Sequence, residues 1–156
     1  MKTSPGPQYL IYGAGAIGSV LGGFLHKMGG SVTLAGRGEH FRALSNKGLE
    51  ITGIWGEHYV PPEEVDVLSD RMQTKRFPVI FLCVKSKDTL ASVAEAAPLL
   101  EDGGIMISMQ NGLYNWEAVS ERVGEERAVG ARVIFGAEVT TPGNVRVTVN
   151  ADDVLL

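Results

Sequence analysis

The residues of this chain that could do chemistry stand just after apolar runs. The first group is Gly13-Ala14-Gly15-Ala16-Ile17-Gly18, a G-x-G-x-x-G turn between the apolar stretch Tyr9–Tyr12 and an amphipathic segment. In such a turn Gly13 permits the sharp reversal, Gly15 lets backbone approach a pyrophosphate, and Gly18 allows close helix-to-strand packing. The following helix N-terminus offers unpaired N–H groups to the anion, so all six residues, Ala14, Ala16 and Ile17 included, form a candidate cofactor-binding set. An acid about 20 residues further on would hold the ribose hydroxyls of NAD. That region here reads Leu34-Ala35-Gly36-Arg37, with no acid and with a guanidinium suited to bidentate pairing with a 2′-phosphate. The pattern predicts NADP(H). A flavin would want the same missing acid, which makes FAD a distant alternative. Arg42, further along the same segment, reads as a solvated helix charge and is not counted in the site.

Other chemistries find little support. His26, His40, His58 and the single Cys83 share no metal-ligand spacing, so no metal is expected. Cys83 lies in the apolar run Val79–Val84, where a buried thiol is the plain reading, and one cysteine cannot form an internal disulfide. A net charge of −4 with scattered Lys and Arg gives no footprint for nucleic acid. Met1–Gln8 lacks the apolar core of a signal peptide, and no stretch reaches the ~18 apolar residues of a membrane span, so a cytoplasmic protein is expected. With 156 residues and 44% hydrophobic content, one compact domain over 1–156 is the expectation.

The elements that must carry these residues follow from periodicity. Ile17, Val20, Leu21, Phe24, Leu25 and Met28 fall on one helical face that ends at Gly29-Gly30. Ser31–Ala35 reads as a second strand, Glu39–Asn46 as a helix closed by Gly48, and Leu49–Val60 as a hairpin-like excursion at a sheet edge. Val79–Val84 reads as a parallel strand buried on both faces. Ser86 caps a predicted helix over Lys87–Ala97, Ile105–Met109 forms the next strand, and Tyr114–Val123 another helix. Ala128–Phe135 is a predicted strand, and Val145, Val147 and Val149 mark an antiparallel strand with one wet face after the Pro142-Gly143 turn. This alternation predicts an α/β fold, a Rossmann-type doubly wound and mostly parallel sheet with an antiparallel strand near the C-terminal end. Gly13, Arg37, Lys85 and Asn111 would then converge at the carboxyl ends of four strands, where such sheets bind ligands.

Five ordered stretches resemble the N-terminal domain of the ketopantoate reductase (2-dehydropantoate 2-reductase) family: Gly13–Ser19, Ala35–His40, Cys83–Ser86, Gln110–Leu113, and Gly136-Ala137 followed by Pro142–Val145. The resemblance implies that Arg37 binds the 2′-phosphate, that Lys85 lies beside the adenine end of the cofactor, and that Asn111 sits at the nicotinamide end next to the substrate. Ala137 is carried over with them. It further implies NADPH-dependent reduction of a small 2-keto acid, ketopantoate to pantoate, in the pantothenate and coenzyme A pathway. Family members carry a second, helical domain with a general-acid lysine and a substrate-binding glutamate. No catalytic residue is therefore expected within 1–156, which reads as a cofactor domain cut from a longer protein, stopping inside a last strand at Asp153–Leu156, and homo-oligomerisation stays open. Tyr114 stands where the family commonly has glycine after Asn-Gly-Leu, which leaves the substrate's identity open. Two alternatives remain at this point, a non-catalytic NADP-sensing domain and the cofactor domain of a different NADP-dependent hydroxyacid dehydrogenase.

Overall fold

In the computed structural model, residues 6–68 and 74–151 are described. The proposed end of the chain within a strand at 153–156 lies outside them. A six-stranded, wholly parallel sheet forms the centre, built from β1 (Gln8–Tyr12), β2 (Ser31–Ala35), β5 (Asp66–Val67), β6 (Phe77–Leu82), β7 (Leu100–Ser108) and β8 (Ala128–Gly130) in the spatial order β5-β2-β1-β6-β7-β8. From β1 the chain winds outward to β2 and β5, then returns to the other flank through β6, β7 and β8. The order reverses beside β1, between β2 and β6, and that is the doubly wound topology expected.

Alternation along each strand sorts the core into two layers. Ile11, Phe81 and Ile107 face one side with α1 (Ala16–Lys27), while Leu10, Ile80, Leu82 and Met106 face the other with α3 (Thr89–Ala96) and α4 (Asn115–Val123). Burial on both faces explains why these strands read as continuous apolar runs. The α2 helix (Gly38–Lys47) adds the fully buried Leu44 to the α1 layer.

A second sheet corrects the expected edge excursion. β3 (Leu49–Gly53) and β4 (His58–Val60) do form an antiparallel hairpin, but it does not extend the central sheet. It joins β10 (Asn144–Asn150) and β9 (Phe135–Thr141) in a four-stranded sheet ordered β4-β3-β10-β9, with β3 and β10 parallel and β9 and β10 antiparallel. Ile51, Val145 and Val147, all fully buried, share a cluster with Val20 of α1. The antiparallel strand near the C-terminal end is therefore present and belongs to this second layer. Its wet face is also present, since Arg146 is exposed between the buried Val145 and Val147, but the alternation stops there, because Val149, expected on the covered face, is 54% exposed.

Several local boundaries differ from the sequence reading: β6 spans Phe77–Leu82 instead of Val79–Val84, and β7 begins at Leu100, five residues before the expected Ile105. The strand expected over Ala128–Phe135 splits, because central-sheet pairing ends at Gly130 opposite Ser108 and the chain crosses to start β9 at Phe135. The helix expected from Lys87 starts at Thr89, after a 3₁₀ turn over Ser86–Asp88. Ser86 does not cap it: its hydroxyl oxygen accepts from Asn115 Nδ2 at 3.2 Å instead of from a helix N–H, and its hydrogen goes to the Asn111 carbonyl at 3.0 Å. Tyr114 is outside α4 and precedes it in a left-handed conformation, φ 68°.

Candidate functional site

The glycine turn is sewn to the end of β2. The N–H groups of Gly13 and Ala14 both donate to the Ala35 carbonyl, at 2.9 and 2.8 Å, which brings the first βα turn against the stretch that carries Arg37. Each glycine has a distinct steric reason. Gly13 has φ +112°, and a Cβ there would fall 2.7 Å from the Val84 nitrogen. A Cβ on Gly18 would fall 2.1 Å from the Gly13 carbonyl oxygen, so only glycine lets α1 start so close beneath the turn. At Gly15 a Cβ would meet nothing within 4 Å. The space in front of Gly15 is thus open, as the approach of a phosphate to backbone requires. No side chain caps α1 and no acid occupies its first turn, so the N–H groups over Ala16, Ile17 and Gly18 keep the partial positive charge of a helix start.

A crevice of about 640 Å³ opens at the carboxyl ends of β1, β2 and β6. Gly13, Ala14, Gly15, Arg37 and Lys85 all line it, so the structure brings together five of the ten residues singled out from sequence. Ala16, Ile17 and Gly18 continue the turn into α1 behind this wall. The Arg37 side chain is 86% exposed and pairs with Asp88 at 3.1 Å across the crevice. Tyr12 donates its phenol hydrogen to Glu95 of α3. Burial first, and then that carboxylate, push the Tyr12 phenol well above its ordinary range. Cys83 lies in the wall, where burial pushes the thiol up to about 12 and leaves it an unreactive apolar surface.

Asn111 and Ala137 are placed elsewhere. Neither lines the crevice. Asn111 follows β7 on an exposed loop, and Ala137 sits in β9 opposite Val147. What fixes the Asn111 loop is a buried polar network that sequence reasoning missed. Ser108 Oγ donates to Gln110 Oε1, and Gln110 Nε2 donates to Thr89 Oγ1 at 2.8 Å and to the Val84 carbonyl at 2.9 Å. Thr89 Oγ1 is 2.9 Å from Asn115 Oδ1, while Asn115 Nδ2 reaches Ser86 Oγ and the Asn111 carbonyl, each at 3.2 Å. The network welds the loop after β6, which carries Lys85, to the loop after β7, which carries Asn111. The available signal was the density of short polar residues at two strand ends, a pattern that ordinary turns share.

Residues 9–155 match the family model of ketopantoate reductase PanE/ApbA. The chain belongs to this family. Its relatives include the 2-dehydropantoate 2-reductase of Aquifex aeolicus, 33% identical over 155 residues, an alignment that covers 96% of this chain and 46% of that protein. Among solved structures, the 2-dehydropantoate 2-reductase from Geobacter metallireducens superposes with a TM-score of 0.83 at 26% identity, covering 92% of this chain and 46% of that one. A D-mandelate dehydrogenase solved with NADH and anilino(oxo)acetate is alike in fold, with a TM-score of 0.78 at 21% identity over 90% of this chain and 45% of its own. The chain spans about half the length of the ketopantoate reductases it matches. Among the described residues no helix is long and apolar enough to cross a membrane, and no group of three or more His, Cys, Asp or Glu side chains is arranged to hold a metal.

Among the residues that line the crevice of this ketopantoate reductase family member but were not assigned to the site from sequence are Asp88, Glu95 and His40. The two acids come from α3 and the turn before it, far from the glycine motif in sequence, and only the return of β6 beside β1 brings them to Arg37 and Tyr12.

Proposed function

We propose that this chain is the NADP(H)-binding domain of an oxidoreductase that reduces a 2-keto acid, ketopantoate above others, to the corresponding 2-hydroxy acid. The observation that carries this reading is the open space at Gly15 facing a crevice that also holds Arg37 and has no acid at the end of β2. The residues present fit a phosphorylated dinucleotide. The backbone from Gly13 to Gly18 takes the pyrophosphate, Arg37 exchanges Asp88 for the 2′-phosphate, and Lys85 lies beside the adenosine. Asn111, outside the crevice and beyond its β6–β7 side, offers an amide donor and acceptor to the nicotinamide end and the substrate. Ala137 borders the same end from the second sheet.

The nicotinamide, when bound, supplies the hydride for the keto carbon. The chain's own residues bind and orient. Of the residues this reading assigns, Lys85 belongs to the adenine end, and Asn111, at the reacting end, is an amide and not an acid. Proton delivery therefore falls to a helical domain outside residues 1–156. The reading predicts that the full gene product oxidises NADPH with ketopantoate fastest in a panel of 2-keto acids, while the 156-residue chain alone stays at background. Absence of turnover with every 2-keto acid in the full product would overturn the activity. Robust turnover by the chain alone would overturn the division of labour. In the whole protein the same reading carries a cytoplasmic location and a place in pantothenate synthesis.

A further inference from the structure

His40 stands three residues after Arg37 on the first turns of α2, and its ring lines the crevice. It bonds to two other elements at once. The backbone N–H of Gly143, in the turn between β9 and β10, points at His40 Nδ1 at 3.1 Å. A backbone N–H can only donate, so Nδ1 must carry no hydrogen. The ring hydrogen then sits on Nε2, 2.9 Å from Ser19 Oγ, and donates to it. Ser19 is fully buried in α1, and its own N–H bonds to the Gly15 carbonyl at 2.9 Å. The Gly143 carbonyl in turn accepts the Glu50 N–H of β3 at 2.9 Å. One imidazole thus joins the helix behind the glycine turn, the helix that Arg37 precedes, and the second sheet, whose Val139 also lines the crevice.

Resting on the reading of this crevice as a dinucleotide site, we propose that His40 is a positioning residue for the cofactor: its neutral Nε2–H form holds the pyrophosphate turn and the Arg37 turn in register, and protonation releases them. A proton on Nδ1 would set two donors against each other at Gly143 and break that link. The groups facing the ring from α1 and from the β9–β10 turn, Ser19 and Gly143, are uncharged. The charged side chains that share its crevice, Arg37, Lys85, Lys87, Asp88 and Glu95, make no bond to it. Glu39, its neighbour on α2, is exposed. Among the described residues no carboxylate bonds to the imidazole, and burial moves the ring toward its neutral form.

The test is calorimetric titration of the chain with NADP⁺ near pH 8 and near pH 5.5, for wild type, His40→Leu and His40→Asn. Asn can place its Oδ1 where Nδ1 accepts from Gly143 yet does not titrate. At the higher pH the Leu variant is expected to bind about tenfold more weakly, the scale of one lost hydrogen bond, and the Asn variant within about threefold of wild type. The 2′-phosphate titrates with a second pKa of about 6 and weakens binding in acid for every protein. The informative quantity is the extra loss in wild type, expected to exceed that of His40→Asn by about fivefold or more. Equal acid losses in the two, or a folded Leu variant that binds as wild type does, would overturn the role of His40. Wild type that binds no NADP⁺ at the higher pH would overturn the dinucleotide reading itself.

Discussion

In the proposed reading Gly15 and Arg37 decide the chemistry of the crevice for opposite reasons, one by lacking a side chain and the other by its charge. Gly15 has no conformational need for glycine of the kind that Gly13 has, and open space surrounds its missing Cβ. Gly15→Val should therefore leave the fold intact, by circular dichroism and melting temperature, while abolishing NADPH binding in calorimetry. Unchanged affinity in a folded variant would reduce the motif to a structural turn. Arg37 is held in place by Asp88, an exposed pair worth at most about 1 kcal/mol and a competitor for any phosphate. Asp88→Asn should tighten NADPH a few-fold and leave NADH unchanged, and weakened NADPH binding would contradict that competition. These side chains were legible unevenly in the sequence. The glycines and Arg37 follow a spacing within one βαβ unit, whereas Asp88 and Glu95 reach the crevice only because β6 returns to pair beside β1.

At the scale of elements, the central strands were legible and the second sheet was not. A parallel strand covered on both faces announces itself as an unbroken apolar run, but alternation in Leu49–Gly53 and Asn144–Asn150 specifies a wet face without naming the partner strand. A signal did exist in α1. A Cβ on Gly23 would fall 2.4 Å from Ile51 Cδ1, so this mid-helix glycine, at a cost of roughly 1 kcal/mol against alanine, makes room for β3. The buried network around Thr89, Gln110 and Asn115 was equally hidden, because each member looks like an ordinary loop residue until two strand ends meet. Asn115 is 5% exposed, and its side chain holds the loops of Lys85 and Asn111 together. Asn115→Leu should lower the unfolding free energy by about 1–3 kcal/mol in denaturant titration, the cost of stranding its buried partners. A variant as stable as wild type would show that the network is ornamental to folding.

For the molecule as a whole, the two sheets are locked across α1, and two histidines at that seam contribute to its response to acid. His40 and His58 are both shifted below the ordinary imidazole value of 6.5, by burial in each case, with the Lys27 charge adding to it at His58. At these two groups the unfolded chain then takes up protons at a higher pH than the folded one, so the stability they contribute is fully present above about 6.5 and falls as the pH drops from there through the folded values. Thermal melts at stepwise lower pH should show this decline, and His40→Asn should flatten part of it. A melting temperature that rises on acidification through this window would contradict the sign.

The central claim, that this fold is built around an NADP(H) crevice read by Arg37, is tested most directly by calorimetric titration of the wild-type chain and Arg37→Ala with NADPH and with NADH. Charge-assisted hydrogen bonds worth about 1.5–3 kcal/mol predict NADPH binding roughly 10- to 100-fold tighter than NADH in wild type, with most of that gap erased in Arg37→Ala. Equal affinities for the two nucleotides in the wild-type chain would contradict it.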